Sequence, residues 1–369
     1  IISAVAGKLG IFGQTGDGGL AIDALLADPS DIEIDMSGNI YFTDRANHVL
    51  RKVNGTTGII STVAGIIGIP GGTGDGGLAT DARLAGPENI IIDSSGNIYI
   101  ADSGNQVIRK INSSDGIINT IAGTIGSQGN SGDGGFATDA TLGPYVSGIA
   151  IDSAGNIYIS DTGNEVIRAI DSSTGIINTV AGVKHYIKNY HAPDYFGDGG
   201  PAIGAVFGRE SPKSIVFDLD GNLLIADSEN HAIRKINTGS VITHAGTVGT
   251  PGYTGDGGLA TNATLRTPKG IAVDSSGNVF IAVGLGSSRG YIRKVDYATG
   301  IISTIAGNGS SLGPFEDGGL ATAAGLLYPE GVAVDSKGDI YIADTENNAV
   351  RKIDANTGII KTVVGTPLS

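Results

Sequence analysis

An acidic, glycine-rich octet, TGDGGLAT, occupies residues 73–80 and returns unchanged at residues 254–261, with near-copies GDGGLAI, GDGGFAT, GDGGPAI and EDGGLAT elsewhere. Its aspartate falls at Asp17, Asp75, Asp133, Asp198, Asp256 and Asp317, giving intervals of 58, 58, 65, 58 and 61 residues. A period of this size means that one small unit is repeated and stacked, because such a unit cannot bury its apolar faces alone. A chain of 369 residues also exceeds what one hydrophobic core supports. Each period contains four short apolar runs. In the second they are NIIID (Asn89 to Asp93), IYIAD, VIRKI and GIINTIAG, separated by SSGN, SGNQ and NSSD. Runs rich in Ile, Val and Tyr and bounded by Gly, Asn, Asp and Ser are strands of a meander. No segment carries a helical period, so helix content near zero is expected.

Six four-stranded units with short connections bury both sheet faces when they are arranged radially. An open solenoid would need distinct polar caps, and none is visible. Instead the chain begins with IISAVAG (Ile1 to Gly7) and ends with GIIKTVVG (Gly358 to Gly365), both copies of the fourth strand. The reading is one domain over residues 1–369, with units near 8–65, 66–123, 124–182, 183–246, 247–307 and 308–365. Residues 1–7 are then a surplus outer strand, available for closure or for exchange with a neighbouring molecule.

The run GVAVDSKGDIYIADTENNAVRKI (Gly331 to Ile353) and its five sister copies resemble NHL repeats, over essentially the whole chain. The resemblance implies an all-β, six-bladed β-propeller of four-stranded antiparallel blades. Related propellers include an amidating lyase with a His-bound metal near the axis, and similar six-bladed folds include calcium-dependent lactonases. The five histidines do not reproduce such a site: His48 and His231 occupy equivalent turns, His244 lies on an outer strand, and His185 and His191 share one loop. No enzyme activity and no cofactor are expected, although many carboxylates on one face leave weak divalent-cation binding open.

Two readings compete for the repeated aspartates: a ring of acidic sites, or a turn that the architecture needs in every blade. Sixfold repetition favours the turn, because a catalytic site on a propeller draws different residue types from different blades. An aspartate between glycines is expected to accept hydrogen bonds from the amides of its own loop. The Asp-x-x-Gly-Asn turns at Asp35, Asp93, Asp152, Asp218 and Asp274, with a variant at Asp335, read as hairpin chemistry rather than calcium loops. A seven-residue interval relates Asp44 to Arg51, Asp102 to Arg109, Asp161 to Arg168, Asp227 to Arg234 and Asp344 to Arg351, so cross-strand ion pairs are expected. In the fifth unit Val283 replaces the aspartate, and Arg293 must find another partner. The least repetitive stretch, Val183 to Phe196, gathers Tyr186, Tyr190, His191, Tyr195 and Phe196 as a candidate interaction surface.

A net charge of -14 argues against nucleic acid and anionic membranes as partners. The absence of cysteine removes disulfides and catalytic thiols. No apolar run approaches the roughly 20 residues that span a bilayer, so no direct membrane insertion is expected. A start at Ile1 and glycosylation sequons at Asn54, Asn112, Asn262 and Asn308 fit an extracellular or cell-surface setting. The function expected is a non-catalytic structural or interaction module, with a protein partner or self-association into oligomers or fibres by strand addition. A glycan- or ligand-binding sensor domain of a larger surface protein is the alternative.

Overall fold

The computed structural model describes residues 12–183, 197–284, 290–309 and 317–364. In the first repeat the apolar runs form β1 (Pro29–Ile34), β2 (Ile40–Asp44), β3 (Val49–Val53) and β4 (Ile60–Ala64), paired antiparallel in that order. Five further four-stranded sheets of the same order span residues 87–122, 149–181, 215–245, 268–306 and 329–364. The helices among the described residues are 3-10 turns of three residues. The β1–β2 hairpin is closed by Asp35, whose Oδ1 accepts the amides of Ser37 and Asn39, both at 2.9 Å, while Oδ2 takes Asn39 Nδ2 at 2.7 Å. Gly38, at φ +76°, supplies the left-handed step of this turn. Asp93, Asp152, Asp218, Asp274 and Asp335 accept their own hairpin amides in the same way.

Adjacent blades pack face to face through six apolar clusters. Between blades one and two, Tyr41, Leu50 and Ala64 meet Ile90, Ile98 and Ile100, with Ala79, Ala82 and Leu84 of the connecting loop wedged between them. Each large side chain buried in this way contributes about 1.5–3 kcal/mol. The seam between blades six and one is built alike, with Ala333, Tyr341 and Val350 against Ile32, Ile40 and Phe42, around Ala21, Ala24 and Leu26. Thr345 Oγ1 donates to the Pro29 carbonyl at 2.8 Å, and Asp28 N donates to Asn348 Oδ1 at 2.9 Å. Among the described residues the ring therefore closes by packing whole blades. The C-terminal copy, Ile360–Val364, is the outer strand of blade six. The other copy, Ile1 to Gly7, lies outside the described residues.

The repeated octet does three jobs at once. At the rim, Leu20 bridges antiparallel to Ile59, Gly18 N donates to the Ile60 carbonyl at 2.9 Å, and Ile60 N donates to Gly19 at 3.1 Å, which covers the outer edge of β4. Its alanines then form the wedge between blades. Its aspartate departs from the expected turn role: Asp17 Oδ1 receives Arg51 Nη2 at 2.5 Å, and Oδ2 accepts the Thr62 amide at 2.8 Å. That amide lies beside a register shift between β3 and β4, where ladder pairing is interrupted. Gly16 is required because a Cβ there would lie 2.4 Å from the Ala24 methyl.

Arg51, Arg109, Arg168, Arg234, Arg293 and Arg351 are all buried, at 0–1% exposure. Each meets its loop aspartate at 2.5–3.0 Å. The strand aspartates form the second, longer contact: 3.4 Å for Asp44, 3.5 Å for Asp102, 3.9 Å for Asp161, 3.1 Å for Asp227 and 3.7 Å for Asp344. Asp256 is the partner that Arg293 finds, at 2.5 Å.

A buried guanidinium that loses its only carboxylate is strongly destabilising, whereas one of two is less costly. Asp256→Asn should therefore lower stability by about 3 kcal/mol, and Asp75→Asn, which leaves Asp102 beside Arg109, by about 1 kcal/mol. Urea denaturation checks this, and equal losses would contradict the two-carboxylate arrangement.

Candidate functional site

The six inner strands start on one face of the ring, and there the repeat stops repeating. The first residue after the proline position is Ser30, Glu88, Ser147, Lys213, Lys269 and Glu330 in blades one to six. The next is Asp31, Asn89, Gly148, Ser214, Gly270 and Gly331. This second position touches the following blade. Asp31 Oδ2 accepts the amide of Ile90 at 2.9 Å and the amide group of Asn89 at 2.7 Å, while Asn89 Oδ1 accepts the Ile149 amide at 2.8 Å. Where glycine stands, the backbones themselves approach: a Cβ on Gly148 would lie 2.4 Å from the Lys213 carbonyl, and one on Gly270 2.3 Å from that of Glu330. The axis is thereby kept narrow.

Above this collar the first-position side chains surround a cavity of about 60 Å³, to which all six blades contribute. Arg45, from the β2–β3 turn, reaches over it and pairs with Asp28 at 2.8 Å, Glu88 at 3.1 Å and Glu330 at 3.0 Å. The other five turns place Ser103, Thr162, Ser228, Thr345 or a longer link at this point. Thr162 Oγ1 donates to the Pro212 carbonyl at 2.7 Å, and Ser228 donates to that of Pro268, so the usual role of the position is to latch the next blade. Lys269 lies 3.5 Å from Glu330, with its ammonium 5.0 Å from the centre of the Tyr328 ring. Burial opposes the charge of Lys269, but Glu330 and Tyr328 outweigh it and hold its value above the usual lysine range. Lys213 is the reverse: burial, reinforced by neighbouring Lys269, holds it below that range.

Two acids sit at the inner strand of blade one. Burial pushes Asp31 up to about 7 and, reinforced by Asp31, Glu33 up to about 8. Glu33 occupies a position that the other blades fill with Ile91, Ala150, Val216, Ala272 and Ala333.

The residues singled out from the sequence lie elsewhere. The loop aspartates are at the rim, engaged with arginine. Although burial acts against it, contacts from Thr62 and Arg51 hold Asp17 below the usual carboxylate range. Among the strand aspartates, burial pushes Asp44, Asp102 and Asp344 up to about 6. His48 Nδ1 accepts the Gly86 amide at 3.1 Å and His231 Nδ1 that of Thr267 at 3.3 Å, both pinning the next blade's loop. Asn112, Asn262 and Asn308 are exposed and Asn54 is half-buried. Tyr186, Tyr190, His191, Tyr195 and Phe196 lie outside the described residues. Sequence reasoning missed Arg45, Glu88, Lys213, Lys269 and Glu330. A signal was present, because these positions change charge class from copy to copy while their neighbours do not.

The family model described as Teneurin NHL domain matches residues 69–129, 244–313 and 307–368, together half of the chain. The chain is 31% identical to Teneurin-4 of Homo sapiens over 305 residues, which cover 73% of this chain and 10% of that protein. It is 26% identical to NHL repeat-containing protein 2 of Gallus gallus over 360 residues, 90% of this chain and 47% of that protein. The chain thus spans from a tenth to about half of these relatives' length. An auxiliary nutrient binding protein from Bacteroides ovatus has a TM-score of 0.65 at 16% identity, covering 98% of this chain and 76% of its own. A streptogramin B lyase has a TM-score of 0.52 at 16% identity, covering 93% and 84%. At that identity the likeness shows the fold alone.

An acid whose folded value lies above its unfolded one stabilises the fold below the unfolded value, and that stability is lost as pH rises through the folded value. Glu33→Gln should therefore match the parent near pH 4 and become increasingly more stable than it as pH rises from about 4.5 to about 8. Melting curves across that range check the prediction, and a difference independent of pH would contradict it.

Proposed function

The chain belongs to the NHL-repeat family, and on that footing we propose that it is a non-catalytic interaction module, extracellular or at the cell surface, which engages a protein partner through its axial mouth. One observation carries the reading: the mouth is where six near-identical units carry starts of three charge classes, two neutral, two acidic and two basic. Architecture accounts for what is repeated, so the departures are left for recognition. The cavity is far smaller than the roughly 300–1,000 Å³ of a drug-sized ligand site, which suits a side chain inserted by a partner. The module works without a cofactor in this reading. Exposed sequons at Asn112, Asn262 and Asn308 support the surface setting.

The covered outer edges favour a partner at the mouth over strand addition, since in blade six Leu320 already bridges to Ile359. Self-association through Ile1 to Gly7 or Gly358 to Gly365 remains the second route, and glycan binding the alternative ligand class.

Screening the protein against arrays of surface ectodomains and of glycans separates these readings. The expected result is a protein partner whose binding is lost in the triple variant Arg45→Gln, Lys213→Gln, Lys269→Gln and kept in the rim variant Leu78→Ser. Loss in the rim variant alone, glycan hits alone, or fibres formed without a partner would overturn the axial reading.

A further inference from the structure

We propose that the Ser147–Lys213–Lys269 arc of the axial mouth is a carboxylate-binding site, which seats an aspartate or glutamate side chain of the protein partner. The proposal rests on the mouth being the binding site, and it adds the chemistry that the site selects.

Around the ring the first-position residues run Ser30, Glu88, Ser147, Lys213, Lys269, Glu330. The acids of blades six and two flank blade one, and Arg45 spans both at 3.0 and 3.1 Å. In that half the guanidinium is fully engaged by carboxylates of the chain itself. The opposite half differs. Lys213 forms no ion pair among the described residues, and its neighbour Lys269 has a single acidic contact, the 3.5 Å one to Glu330. Ser147, beside Lys213, is 7% exposed and lines the cavity, yet its buried hydroxyl has no hydrogen-bond partner among the described residues. An unsatisfied buried hydroxyl destabilises the fold. A guest that accepts hydrogen bonds from the hydroxyl and the Lys213 ammonium together would remove that cost.

The guest's charge and size follow from the walls. Two lysines and a hydroxyl call for an acceptor with negative charge. Glu88, Glu330 and Asp31 also line the cavity, and Glu210 adds its field at Lys213, so a dianion such as sulfate meets more repulsion than a monoanion. About 60 Å³ admits a carboxylate head and little more.

The test observes the lysine ε-methylene NMR signals while sodium acetate, sodium sulfate, or the capped tripeptides Gly-Glu-Gly and Gly-Gln-Gly are added. Acetate and the glutamate peptide should shift the Lys213 signal with millimolar affinity and raise its titration point, and the glutamine peptide should not. Lys213→Gln should weaken acetate binding about tenfold. Ser147→Ala should weaken it several-fold with a melting temperature no lower than the parent's, an outcome that a hydroxyl holding the fold together would not give. No acetate shift at Lys213, or an acetate affinity unaltered by both variants, overturns the carboxylate site. Binding of the glutamine peptide at the mouth, or of sulfate in preference to acetate, overturns it while leaving the mouth a binding site. A protein partner still held by the triple axial variant overturns the mouth itself.

Discussion

Each blade is organised around one buried guanidinium and the loop carboxylate that meets it. A charge removed from water is tolerated only with a close counter-ion and further acceptors, so Arg51 fixes where Asp17 must lie. With Asp17 placed, the flanking glycines run along the outer strand and cover its edge, and the alanines after them enter the gap between blades. Edge protection, the inter-blade wedge and the approach of the chain to the axis all depend on this pair. Its repetition six times explains why an acidic glycine-rich phrase stands in every unit of the chain.

Function has to be sought where this logic breaks. Arg45 stands where the other described turns carry Ser or Thr, and it replaces the hydroxyl latch on the next blade with an ion pair to Glu88 of that blade while also reaching Glu330. Asp31 and Glu33 bring acids to an inner strand whose equivalents are neutral, and Lys213 and Lys269 concentrate positive charge in an acidic protein. Apart from Glu33, these departures converge on one cavity, because a propeller brings the start of every inner strand to the same axis.

Much of the fold was legible beforehand. Period, strand count, hairpin chemistry and the seven-residue Asp–Arg interval are local properties, and the structure places Asp35 in its own turn and Asp44 within 3.4 Å of Arg51. The partner choice of the arginines was not legible, since Asp17 and Arg51 are 34 residues apart and are brought together only by the folded blade. The turn role expected of Asp17 belongs to Asp35, and the nearer ion pair belongs to Asp17. The closure of the ring was equally hidden, because two copies of the outer strand compete for blade six and only packing shows Ile360–Val364 in place.

The sequence by itself determined a repeated four-stranded unit, its number, its turns and an all-β ring, because strand propensity, glycine turns and fixed spacing act over a few residues. Tertiary structure alone decided which carboxylate neutralises each buried arginine, how the outer edges are covered, and that single residues from six distant segments form one charged mouth. Those outcomes depend on burial and on distances across the ring, and neither is set by neighbours in the chain.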